Sequence, residues 1–241
     1  MPFGVSEQGA RAAGIALPRE AARPEHAFLA SVYAWMAAGL ALTAGVALFT
    51  VSTPALLQLV LGNQIVFFGL MIAQLGLVVG VSAAINRISA AAATGLFLLY
   101  AALNGVTLAV ILLAYTGASV AGTFFVTAGM FGSMSLYGAV TKRDLSSWGS
   151  FLFMGLIGVV IASVVNIFLA NDTLSWVMAL VGVVVFTGLA AYDTNKLRAL
   201  ARQGFADAGA ERKGAIIGAL ALYLDFINLF LMLLRLFGRR R

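Results

Sequence analysis

No charged residue occurs from 27 to 86 or from 88 to 141 in this chain of 241 residues. Each gap is long enough for two bilayer crossings of about 20 residues. Inside hydrocarbon a backbone can satisfy its own N–H and C=O groups only as a helix or a closed barrel. Barrel strands alternate apolar and polar residues over segments of about 10, and these stretches show no such alternation, so the crossings are helices. Charged residues make up only 10% of the chain, against about 25% in a soluble domain, and mean hydropathy is +1.01. The sequence therefore predicts an all-α integral membrane protein with a single polytopic domain.

Turn formers and polar breaks divide the apolar sequence into spans at 28–51, 57–85, 91–115, 119–140, 148–169, 174–197 and 213–237, with a polar connector at 198–212. Residues 1–26 read as a polar tail, 27–237 as the membrane domain and 238–241 as a basic C-terminal tail. The first 25 residues carry Pro2, Pro18, Pro24 and six charges, without the apolar core of a secretory signal. With the amino terminus inside, Arg11, Arg19, Arg23, Arg87, Lys142, Arg143, Lys196, Arg198, Arg202, Arg212 and Lys213 all fall on the cytoplasmic side. The first, third and fifth connections carry no Lys or Arg, which is the positive-inside pattern. Arg235, Arg239, Arg240 and Arg241 run against it, so the last span either crosses in spite of the rule or re-enters.

Net charge +6 and a pI near 10.1 would suit a nucleic-acid partner, but the basic residues flank apolar spans rather than forming a binding module. Contact with anionic membrane lipid accounts for them better. The absence of cysteine and the single histidine, His26, exclude thiol catalysis and make a transition-metal site improbable. No nucleophile-and-base constellation or phosphate-binding glycine loop is present, so neither an enzyme nor a bound cofactor is expected. The glycines, as in Gly129-Met130-Phe131-Gly132 and Gly138, read as points of close helix approach. Asn104, Asn166 and Asn228 are interhelical hydrogen-bonding groups or, alternatively, lining of a polar pathway.

Two carboxylates stand out, because an acid within or at the end of an apolar span is expensive and is a functional hypothesis by default. Asp193 and Asp225 are placed symmetrically about Gly209, in the glycine-bearing connector. If the last two spans fold back there with equal rise per residue, both acids arrive at the same depth. Two ionised carboxylates about 4 Å apart repel by roughly 4 kcal/mol at an effective dielectric near 20, worth about three pH units, so a proton would be shared to near neutrality. Separation of the helices, a nearby Arg87 or a divalent cation would relieve the doubly charged state. Calcium suits an all-oxygen donor set, which makes Asp193 and Asp225 candidate calcium ligands. The residues alone leave other roles open: Arg87 as a topology anchor, and Asp193 as the partner of Lys196 one turn on.

Ala191-Tyr192-Asp193-Thr194 and Leu222-Tyr223-Leu224-Asp225-Phe226-Ile227-Asn228-Leu229-Phe230 resemble the signature segments of the Bax inhibitor-1 family. Phe28-Leu29, Val32-Tyr33, Thr141-Lys142-Arg143-Asp144-Leu145-Ser146 and Asn166-Ile167-Phe168 agree with it, and the likeness covers roughly 26–237. The resemblance implies seven transmembrane helices with the last one central, and a pH-sensitive calcium leak in a bacterial inner membrane. It also implies that Asp193 and Asp225 form the pH-sensing pair and that Arg87 latches onto Asp193. The chain departs from the family pattern at Gln74, where many relatives carry glutamate, and in its basic carboxyl end. Two rival functions use the same features: modulation of a membrane protease or other membrane complex, and proton/calcium exchange.

Overall fold

Backbone groups that cannot reach water close their hydrogen bonds within each segment, and the polar residues at the breaks cap what results. A computed structural model describes residues 18–85 and 87–241, with side chains from Glu25 onward. The polar tail lies outside the described residues up to Leu17, and its remainder, from Pro18, is already helical. The helices are α1 (Pro18–Ser52), α2 (Pro54–Leu61), α3 (Gln64–Ala84), α4 (Ala90–Ala114), α5 (Gly117–Val140), α6 (Ser146–Leu169), α7 (Asp172–Gln203) and α8 (Ala208–Phe237). Seven of them, all but α2, are long and apolar enough to cross a membrane. Ser89, Thr116, Asn171 and Asp207 each accept a hydrogen bond from the first turn of the helix that follows, replacing partners that the helix itself cannot supply.

The second span differs from expectation. The stretch 57–85 contains two helices, because α2 ends at Gly62, whose position leaves no room for a Cβ beside the Gln58 carbonyl. Asn63 then caps α3 by accepting from Ile65 and Val66 at 3.0 and 3.3 Å. The 198–212 connector is also shorter than expected. Residues 198–203 continue α7 and 208–212 belong to α8, so the turn is 204–207, with Gly204 at φ 78°.

α8 is the central helix, with Leu222, Tyr223 and Leu229 fully buried. Its 30 residues span about 45 Å at 1.5 Å per residue, more than a hydrocarbon core of about 30 Å. At its far end Tyr115 and Arg240 form an antiparallel bridge, and Arg239 O accepts from Thr116 N at 3.0 Å. The carboxyl end thus sits beside the α4–α5 turn, opposite the 204–207 turn, and the last helix crosses fully rather than re-entering.

The other helices do not enclose α8 evenly. α1, α4, α5 and α7 pack on it, whereas α3 leans mainly on α4, and α6 leans on α7. Only Val81 is buried on α3, and only Leu152 and Val159 on α6. α3 and α6 make no substantial contact with each other, which leaves a lateral opening between them. Gly138 presses against the Ala191 backbone, as a close-approach glycine does, but Gly129 and Gly132 face open space. At the end that carries the 204–207 turn, Glu25 of α1 accepts from Arg198 at 2.7 Å and from Arg202 at 2.9 Å. Arg198 also donates to Thr141 O at 2.8 Å, so α1, α5 and α7 are tied together there.

Candidate functional site

Register between α7 and α8 sets the depth of the two carboxylates. Leu197 lies against Gly218, and Gly182 against Met232, an antiparallel alignment that folds back about residues 207–208. Asp193 is therefore level with residues 221–222, about one helical turn from Asp225, and the two carboxyl groups reach across that stagger to face each other within hydrogen-bonding reach. Asp225 is 5% exposed, and its Oδ2 has no hydrogen-bond partner. Two adjacent carboxyl groups can satisfy one another only when at least one carries a proton, because the ionised form offers acceptors alone.

Asp193 lines two cavities, and Asp225 lines the second of them. One, of about 340 Å³, is lined by Asp193, Lys196, Leu200, Gln203, Gly214 and Ile217. It continues through Leu200, Gly214 and Ile217 into a hollow of about 430 Å³ beside Asp207 and Lys213, at the 204–207 end of the bundle. The other is the groove between α3 and α6, of about 900 Å³, where Asp193, Asp225, Asn228 and Gln74 supply polar groups among apolar neighbours. A solute at the 204–207 end therefore finds a recess leading to Asp193, and beyond it a groove whose mainly apolar lining is broken by Ser150, Ser163, Gln74, Asn228 and the two acids.

The other expected site residues separate. Arg87 is exposed in the turn between α3 and α4, two residues beyond Ile85 at the rim of the 430 Å³ hollow. It is not paired with Asp193 in this conformation, and the cation whose charge acts on Asp193 is Lys196. Lys196 is itself exposed and forms no ion pair within 4.0 Å among the described residues. Asn228 lines the groove and donates to Leu224 O at 2.9 Å. Asn104 is a packing group whose Nδ2 donates to the Tyr223 hydroxyl at 3.0 Å. Asn166 closes the end of α6, accepting from Asn171 N at 3.0 Å. Among the described residues, no group of three or more His, Cys, Asp or Glu could hold a metal, so the carboxylate pair offers a cation two acids and nearby amides.

The sequence reading missed a buried network next to the site. Thr43 Oγ1 donates to Ala101 O at 2.8 Å, so at their 2.6 Å contact the Tyr223 hydroxyl is the donor and Thr43 the acceptor. Phe97 and Tyr100 pack edge-on against the Tyr223 ring, at 5.9 and 5.8 Å between centroids. Gln74 Nε2 reaches Leu103 O and Thr107 Oγ1 at 3.3 and 3.4 Å, fixing α3 to α4. Two signals were available: Asn104, expected to hydrogen-bond between helices and here bonded to Tyr223, and Tyr223 itself, a hydroxyl two residues before Asp225.

Comparison with known proteins agrees with this architecture. The sequence model of the family described as "Inhibitor of apoptosis-promoting Bax1" matches residues 25–241. The chain is similar to "Inner membrane protein YbhL" of Escherichia coli strain K12, with 54% identity over 89% of this chain and 92% of that protein. It is also similar to a protein of Deinococcus radiodurans, with 48% identity over 88% of this chain and 90% of that one. A protein of Borreliella burgdorferi is 44% identical over 89% of this chain and 92% of its own length.

Proposed function

The chain belongs to the Bax inhibitor-1 family, and we propose that it is a pH-sensitive calcium leak of a bacterial inner membrane, gated by protonation of Asp193 and Asp225. The observation that carries this reading is the pair of facing carboxyl groups, Asp193 lining both cavities and Asp225 the groove, with Asp225 Oδ2 buried and unpartnered. With a shared proton the pair holds α7 to α8. Loss of that proton leaves two like charges that repel by roughly 4 kcal/mol at about 4 Å, which favours parting of the helices and entry of a cation. Calcium normally takes six to eight oxygens, and two carboxylates with Asn228 and Gln74 nearby supply six at most, and only if both acids bind through both oxygens. That suits an ion that passes on rather than one that stays. In this reading Arg87 acts as a latch only in a second conformation that brings the α3–α4 turn toward Asp193, and the amino terminus is cytoplasmic. No enzymatic chemistry is assigned.

The test is calcium entry into proteoliposomes of the purified protein, for the parent, Asp193→Asn, Asp225→Asn and the double variant, across a pH series. The parent should leak more as pH rises through neutrality. Each single variant should lose that dependence, and the double variant should add little, because coupled sites are non-additive. A parent-like pH profile in both single variants would sink the gating reading. Calcium uptake driven by an imposed proton gradient alone would favour an exchanger built on the same carboxylates.

A further inference from the structure

The groove between α3 and α6 opens sideways, at hydrocarbon depth, with no substantial contact between these two helices among the described residues to close it. Its floor is formed by Leu189 of α7 and Leu224 of α8 together with the carboxylate pair, and its walls include Val78 and Leu156. In a bilayer such a space does not remain empty, and water gains little from the apolar walls. Along α6 the lining runs from Gly149 to Ile167, a distance of about 27 Å at the helical rise. That is nearly the whole depth of a hydrocarbon core of about 30 Å, so the Gly149 end of the groove lies near the level of a lipid headgroup. At the Gly149 end stands Lys196, exposed and lining the same groove, at the height where a phosphate would sit and with the charge to meet it.

We propose that the groove is a phospholipid site. A lipid of the leaflet at the 204–207 end places its phosphate against Lys196 and runs one acyl chain between α3 and α6 over Leu224 and Leu189. The chain covers the carboxylate pair with hydrocarbon and keeps water from it on the bilayer side. This assignment concerns what fills the groove and holds whether or not calcium crosses the protein.

The test uses the full-length protein in vesicles of phosphatidylethanolamine and phosphatidylglycerol, doped with a phosphatidylcholine carrying a diazirine in mid-chain. After photolysis, adducts are mapped by mass spectrometry. Adducts are expected on Leu189 and Leu224 as well as on Phe125, a lipid-facing residue of α5 that serves as the reference. Val160→Trp, which fills the groove, should abolish the floor adducts and leave those on Phe125. Leu156→Trp serves the same purpose if the first variant does not purify as a folded protein. Because the chain has no cysteine, Leu224→Cys gives a clean second readout and should resist a hydrophilic thiol reagent. Absence of floor adducts with rapid reaction of that cysteine would make the groove an aqueous vestibule. Absence of adducts with no reaction would mean that protein covers it. Floor adducts that survive both tryptophan variants would mean the chain arrives by another route. Each of these three results overturns the assignment.

Discussion

Asp225→Asn tests the electrostatics of the pair without reference to transport. The side chain is 5% exposed, its Oδ2 lacks a partner and Asp193 faces it. When both groups are ionised at about 4 Å, the repulsion is roughly 4 kcal/mol. Attraction of Asp193 to the exposed Lys196 is the same in parent and variant and cancels from the difference. Asparagine keeps the shape, removes one charge and donates an N–H to Asp193 at every pH. The variant should therefore be more stable than the parent by about 4 kcal/mol in alkaline buffer, which is roughly 8–16 °C of Tm at about 2–4 °C per kcal/mol for a domain of this size. In acid, where the parent pair already shares a proton, the gain should shrink to less than about 1 kcal/mol. The sign follows from linkage: where the folded pair keeps a proton that the unfolded chain releases, stability falls as pH rises. Thermal unfolding in detergent, without divalent cations and over a pH series, gives the difference directly. A gain that is the same at every pH would locate the effect in packing, and a loss confined to alkaline buffer would show that a cation holds the ionised pair together. Either outcome refutes the reasoning.

Arg87→Ala should change thermal stability by no more than about 0.5 kcal/mol, as for an exposed surface residue; a loss of about 3–5 kcal/mol would show that it is buried against Asp193 in the resting protein. Tyr223→Phe strands Asn104 Nδ2 and should cost about 1–3 kcal/mol by the same thermal assay, whereas an unchanged Tm would mean that the network carries no stability. Asp144 accepts from the backbone N–H and the hydroxyl of Ser146, which hold its carboxyl below the usual carboxylate range. Its stabilising effect should be complete above about pH 4 and vanish as pH falls through the lowered value, read as the Tm difference between parent and Asp144→Ala. Ala208→Cys and Arg240→Cys should lie on opposite sides of the membrane, so an impermeant thiol reagent applied to intact cells should label the second only.

Hydropathy made the seven crossings legible because lipid sets their length, but it marks where the membrane ends rather than where a helix ends. That is why α7 and α8 run on through polar residues on both sides of the 204–207 turn, and why the connector read as longer than it is. The break at Gly62 and Asn63 escaped notice for the opposite reason. The sequence is apolar on both sides of it, and the turn depends on a backbone approach to Gln58 that no composition reveals. The three-way tie of Glu25, Arg198 and Thr141 joins residues far apart in sequence, so no local pattern could have announced it.

The carboxylate pair was readable because antiparallel register is arithmetic: two helices with equal rise and a fold-back near 209, observed at 207–208, put Asp193 and Asp225 within about one helical turn of each other. Arg87 was not placed in the same way, since its distance from Asp193 depends on how α3 tilts against its neighbours, and α3 rests chiefly on α4. The same weak attachment opens the groove. Spans apolar on every face have no stripe to direct them inward, and α3 and α6 duly expose most of their side chains. Which helices fail to touch is a property of packing. Here that failure brings the bilayer to the most expensive residues in the chain, so the surroundings of Asp225 are set jointly by the protein and by whatever fills the space between α3 and α6.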